Sequence, residues 1–165
     1  MNRWILAPLA TLALTACGSP DEGKIPTEDG DIDYTVTGDG EAGQVTLSGP
    51  DGDMTVDSGT NVDPDLPEGV VAYPGATISN VTNVAVGGGN GAMVSMETPD
   101  SAQKVVDWYK AEARKRSFAI EAEVHQGDLH MLGGKAADGR EFSLTASDKG
   151  GNTTVQLIAG VGLPN

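Results

Sequence analysis

From residue 31 onward the chain places apolar residues at alternate positions in short runs. Ile32, Tyr34 and Val36 form one run, Val45 and Leu47 a second, Met54 and Val56 a third, and clusters of Gly, Asp and Pro separate them. Alternation on that scale predicts half-buried antiparallel strands, here a small three-stranded β-meander over 31–60. A polar connector over 61–69 follows. Two further strand patterns, TISNVTNVAV and GAMVSMET, flank GGGNG. The period then changes: Ala102, Val105, Val106, Tyr109 and Ala113 share one face at helical spacing, which predicts a helix over about 99–116. Thr98 is placed as its N-cap and Asp100 against the positive end of its dipole, with Trp108 at the border of the apolar stripe. Lys110, Arg114, Lys115 and Arg116 suit the negative end. Four more strand patterns, AIEAEVH, LHMLGGKA, EFSLTAS and TTVQLIAGV, complete the chain. The expected fold class is α+β: an antiparallel sheet with one packed helix, preceded by the meander, with short connections favouring neighbours that pair in sequence order.

The N-terminal segment breaks this pattern. A positive start at the free amine and Arg3 leads into the apolar run WILAPLATLAL, which is too short for the roughly 20 residues of a bilayer span and reads as an export signal. Directly after it, Leu14-Thr15-Ala16-Cys17 resembles the lipobox of bacterial lipoproteins. That resemblance implies a diacylglyceryl thioether on Cys17, cleavage after Ala16 and acylation of the new amino terminus. The alternative is an ordinary secretory signal that leaves a free thiol. Several acyl chains, at about 0.8 kcal/mol per buried methylene, hold a protein on a membrane essentially permanently. The expected organisation is thus a lipoprotein signal peptide over 1–17 with lipidated Cys17, an acidic flexible linker over 18–30, the meander over 31–60, the connector over 61–69 and an α+β domain over 70–165. A coil of the first linker residues spans only about 18 Å on average.

Charge and cysteine content narrow the function classes. Residues 18–68 carry fourteen acidic side chains and one lysine, a net of −13, whereas 69–165 carries ten acidic and eight basic, a net of −2. An acidic third of this kind offers nothing to a phosphate backbone, so nucleic acid is not an expected partner. Cys17 is the only cysteine, which rules out an internal disulfide and any zinc site built on several thiolates.

A second resemblance covers roughly the last 95 residues. Tyr73-Pro74-Gly75-Ala76, then Thr98, Asp100 and Ser101 entering the helix, then Val105, Trp108 and Tyr109 within it, are similar to a Tyr-Pro-Gly-Ala module of small, uncharacterised bacterial envelope lipoproteins. In that family a Gly-aromatic pair commonly ends the helix, where this chain has Ser117-Phe118. The resemblance implies a fold and supplies no catalytic residues. Independently of it, Pro74-Gly75 suits the centre of a type II turn.

Candidate chemistry is sparse. Asp29, Asp31 and Asp33 alternate like the first ligands of a calcium loop, but Tyr34 and Gly40 occupy the positions that need glycine and glutamate. Gly87, Gly89 and Gly91 precede a strand pattern, not the helix a phosphate loop requires. The sharpest grouping lies in EVHQGDLHML. A two-residue turn at Gly127-Asp128 sets His125 opposite His130, with Glu123 as a diagonal neighbour. Two imidazoles and a carboxylate are the candidate metal ligands for zinc or copper. In the competing account Val124 and Met131 face the core and both histidines stand on the exposed face. No nucleophile with a base and an orienting group can be assembled from the spacing, and no cofactor is implied. The sequence therefore leads to a lipid-anchored bacterial envelope protein, at the outer membrane facing the periplasm, acting as a non-catalytic binding or interaction module for an envelope protein or cell-wall partner. The alternative is a small envelope metalloenzyme or hydrolase, or a metal-binding protein using His125 and His130.

Overall fold

The computed structural model describes residues 21–27, 30–38, 41–50 and 52–162. Cys17 and the whole signal segment lie outside them. The described chain forms ten strands and one helix: β1 (Asp21–Thr27), β2 (Gly30–Gly38), β3 (Ala42–Gly49), β4 (Gly52–Gly59), β5 (Thr77–Val86), β6 (Gly89–Thr98), α1 (Ala102–Lys115), β7 (Phe118–Gln126), β8 (Leu129–Ala136), β9 (Glu141–Lys149) and β10 (Asn152–Val161). The architecture is α+β and mostly sheet.

All ten strands belong to one antiparallel sheet in the order β1-β2-β3-β4-β5-β6-β10-β9-β8-β7. The expected meander strands are present as β2 to β4, but they continue into β5 through the pairs Val56–Val84 and Met54–Val86 and form no separate unit. The expected linker also differs, because residues 21–27 form a strand paired with β2 from Asp21–Val36 to Thr27–Gly30. Backbone pairing, not burial, makes that strand: its residues are almost all exposed. Sequence-order pairing fails at one place, where β10 inserts between β6 and β9 and α1 carries the chain across to the far edge. Both edges are guarded. β1 carries Pro26 and charged side chains, and β7 carries a register shift between Ile120 and Ala122 with Glu121 beside it. Proline, charge and bulges are the usual means of blunting a sheet edge.

The helix buries the stripe read from its spacing, Ala102, Val105, Val106, Tyr109 and Ala113. It packs on β7 to β10, over Leu132, Leu144, Val155 and Leu157, all essentially inaccessible. The connector covers β5 and β6 on the same side. Val62 and Leu66 pack against the core, and Asn83 ties the segment down by donating to Asp63 O at 2.8 Å and accepting from Asp65 N at 2.8 Å. The N-cap is Ser101, not Thr98: its hydroxyl accepts from Lys104 N at 3.4 Å. Thr98 stays in β6, paired with Thr153 and buried. At the other end Ser117 adopts φ 64°, the left-handed conformation that glycine commonly supplies after a helix. The Tyr73–Ala76 turn closes as expected, with Gly75 at φ 78° and Ala76 N donating to Tyr73 O at 3.1 Å.

The apolar side of the sheet reverses at β5. Val81 points into the helix-side core with Val94 and Met96, whereas Val84 and Val86, an odd number of residues further on, point the other way. Two cross-strand rows continue on that opposite face: Tyr34–Leu47–Met54–Val86 and Val36–Val45–Val56–Val84. Behind them, on the helix side, the same strands present Asp33, Ser48 and Asp53 in one row and Thr37, Gln44 and Asp57 in another.

Candidate functional site

The β7–β8 hairpin turns at Gly127-Asp128, with Gly127 at φ 59°, and the pairs Gln126–Leu129 and His125–His130 follow in the expected register. The faces, however, are reversed from the competing account. The bulge between Ile120 and Ala122 adds one residue to β7, so Glu123 and His125 share the helix side with Leu132 while Val124 and Met131 turn to the open face, 47% and 39% exposed. An inserted residue changes the parity of everything beyond it.

His125 Nδ1 and His130 Nδ1 are 2.7 Å apart, and His125 Nε2 lies 2.9 Å from Glu123 Oε1. The same carboxylate oxygen accepts from Lys110 Nζ on α1 at 2.8 Å. Lys110 first, and His125 next, hold the Glu123 carboxyl below the usual carboxylate range. One proton assignment satisfies the whole chain: His125 donates Nε2–H to Glu123 and accepts at Nδ1 from His130 Nδ1–H. The rings stand edge to face at 4.7 Å. A carboxylate behind an imidazole is also how metal-binding histidines are oriented. Glu123, engaged on the ring nitrogen away from His130, would fill that orienting role and not that of a ligand, which leaves two imidazoles, and among the described residues no group of three His, Cys, Asp or Glu side chains is arranged to hold a metal ion. Two ligands fall short of the three or four that protein zinc sites use. Titration with zinc or copper, followed by imidazole resonances, is expected to give only weak, unsaturated shifts. Submicromolar stoichiometric binding lost in the His125→Ala, His130→Ala double variant would reverse that expectation.

The opposite end of the helix-side layer is aromatic. Tyr73, Trp108, Tyr109, Phe142 and Phe118 form a continuous set of ring contacts, with centroid distances of 4.8 to 6.4 Å. Arg140 stands 5.1 Å over the Phe118 ring and donates to the Glu68 carbonyl. Tyr109 donates to Val71 O at 2.9 Å, and Tyr73 to Asp100 Oδ2 at 2.8 Å. Burial first, then the Asp100 carboxylate, pushes the Tyr73 hydroxyl up to about 12, and burial pushes Tyr109 up as well. Both are therefore neutral donors at physiological pH. The space left among Val70, Trp108, Tyr109, Phe118 and Phe142 is about 10 Å³, room for one water molecule. Asp148 closes the other helix end: its Oδ1 accepts from Ala102 N at 2.9 Å and from Thr153 Oγ1 at 2.5 Å, and these bonds lower its carboxyl.

Residues 78–153 match a family model described as START domain-like. The match begins in β5, takes in α1 and ends at the start of β10, somewhat less than half of the chain. No curated protein and no solved structure matches the chain.

The site residues read from sequence thus fall into two groups. His125, His130 and Glu123 come together at one end of the helix-side layer. Cys17 lies outside the described residues. The aromatic set at the other end was not assembled from sequence, although Tyr73, Trp108 and Tyr109 were singled out; Phe118 and Phe142 join them only through the pairing of β7, β8 and β9.

Proposed function

We propose that the protein is a lipid-anchored module of the bacterial cell envelope that binds a partner through its surface and performs no catalysis. The observation that carries the binding mode is the filled layer between α1 and the sheet: the side chains there are buried, and the cavity beneath Trp108 and Tyr109 admits one water. A START domain-like match over 78–153 is in keeping with a ligand-binding fold, but a buried small-molecule site needs some hundreds of Å³, so recognition belongs to exposed faces. The anchor rests on the Leu14–Cys17 motif, and placement at the outer membrane facing the periplasm rests on the resemblance to lipoproteins of diderm bacteria, whose sorting rule favours the outer membrane where Gly18, in place of Asp, stands at the second mature position. Among the described residues no helix is long and apolar enough to cross a membrane.

The partner is an envelope protein or cell-wall material, met by a domain held close to its membrane. Crosslinking in intact cells is expected to capture one specific envelope partner with the wild type, and much less of it with a Cys17→Ala form exported by an ordinary signal. Equal capture by both forms, or turnover of an envelope substrate without any partner, would remove this reading.

A further inference from the structure

We infer that the open apolar face of β2 to β5 is a self-association surface that packs against the same face of a second copy of this chain. A sheet with one apolar face must cover it, and among the described residues α1 and the connector cover only the other side, over β5 to β10. The uncovered rows are built from Val45, Leu47, Met54 and Val56, with Tyr34 and Val36 beside them, and all are partly or largely exposed. They carry no charge.

Three considerations select a second copy as the occupant. The first is composition: aliphatic, largely β-branched side chains on a pleated surface are what the inner face of a β-sandwich contains, and two such faces interdigitate about 10 Å apart. A bilayer surface is met instead by Trp, Tyr, Lys and Arg, and here Tyr34 is the one aromatic among acidic neighbours. The second is charge. In β2 to β4, Asp33, Asp53 and Asp57 lie on the reverse side, so two copies stacked apolar to apolar carry their carboxylates outward. The outer faces are then roughly 20 Å apart, about two sheet spacings and beyond the Debye length of about 8 Å, so the net charge of each copy does not prevent association. The third is area. Four strands about 4.8 Å apart and five to six residues long give a face of roughly 400 Å² before corrugation. Met93 and Ile158 extend it across β6 and β10 through the pairs Thr82–Met93 and Met93–Ile158. Two copies then bury about 1,000 Å² in total, the lower bound for a specific interface. That size fits a reversible dimer in the micromolar range, strengthened wherever copies share a surface.

The contact is isologous, so each residue near the twofold axis meets its own counterpart. This inference does not depend on lipidation, and the test separates the two. The mature chain with Cys17→Ala is examined by sedimentation equilibrium from micromolar to millimolar concentration, where a monomer–dimer equilibrium is expected. Leu47→Asp is expected to weaken it at least 100-fold, and Val124→Asp, on the open face but far from the rows, to leave it unchanged. Single cysteines in the same background provide a readout that needs no disruptive change. Val45→Cys on the apolar face is expected to crosslink between copies with a short bismaleimide, and Thr46→Cys on the polar face is not. A monomer at every concentration, a dimer untouched by Leu47→Asp, or crosslinking only through Thr46→Cys would overturn the inference. So would binding of the monomer to phosphatidylcholine vesicles that Leu47→Asp abolishes, which would assign the face to lipid.

Discussion

Replacing Cys17 by alanine is expected to move the protein out of the membrane fraction completely, into the soluble pool if an ordinary signal peptidase still cleaves it and into an uncleaved precursor if none does. The wild type should carry a mass increment of two or three acyl chains at its mature terminus. Each chain contributes roughly 0.8 kcal/mol per buried methylene, and a second chain turns marginal binding into stable attachment, so the expected change in membrane partition is orders of magnitude. A mature wild type with a free, unmodified thiol would defeat the lipoprotein reading. Because β1 begins at Asp21, only residues 18–20 separate Cys17 from the sheet, and even fully extended they reach about 14 Å. That stretch is shorter than the 18–30 linker expected from composition, so the proposed anchor would hold the sheet close to its membrane.

Two neighbouring glycines in β8 are expected to respond in opposite ways to one added methyl. At Gly134 a Cβ would stand 2.6 Å from Phe142 Cε1 and 3.1 Å from the Ala119 carbonyl oxygen. Phe142 cannot yield easily, because Phe118 meets it edge-on at 5.5 Å and Tyr109 stacks on it at 6.4 Å. Gly134→Ala therefore overpacks the core and is expected to cost about 1–3 kcal/mol, a large part of the roughly 5–15 kcal/mol that holds a domain folded. At Gly133 the nearest atom to a new Cβ is Ala122 Cβ at 3.6 Å, an ordinary contact on the open face. Gly133→Ala is expected to be neutral or to stabilise by about 0.4–1 kcal/mol, since it restricts the unfolded chain. Urea unfolding of both variants checks the pair. Equal midpoints would mean that Phe142 does not sit over Gly134 in solution.

What the sequence reveals and what it hides divides along local and non-local physics. The stripe from Ala102 to Ala113, the Pro74-Gly75 turn and the Gly127-Asp128 hairpin each depend on residues within one or two turns of chain, and each is found as read. The strand at residues 21–27 escaped because DEGKIPT has no apolar alternation to announce it. It exists through backbone pairing to β2 and the Lys24–Asp33 contact at 3.0 Å. The bulge at Ile120–Ala122 has no marker in the sequence, and one uncounted residue exchanged the faces of Val124 and His125. The insertion of β10 between β6 and β9 joins strands more than fifty residues apart, through pairs such as Leu157–Val94 that hydrophobic periodicity alone does not select. The histidine pair was legible because its geometry follows from one hairpin turn. The Lys110–Glu123 contact across the helix was not, because it depends on where α1 lands.

The reversal of the apolar side at β5 also determines how the molecule bears a load. A pull applied at residue 20 meets β1 first, and among the described residues of β1 to β4 only Gly59 is buried. The single-layer strands are held by ladder hydrogen bonds and by little side-chain interlock, whereas from β5 onward each strand is clamped under the helix or the connector. The N-terminal strands are thus expected to give way before the core does. Fully extended, residues 21–59 would span about 130 Å with β5 to β10 still folded, so on the proposed lipid anchor the same strands that present a surface at rest would act as an extensible spring under tension.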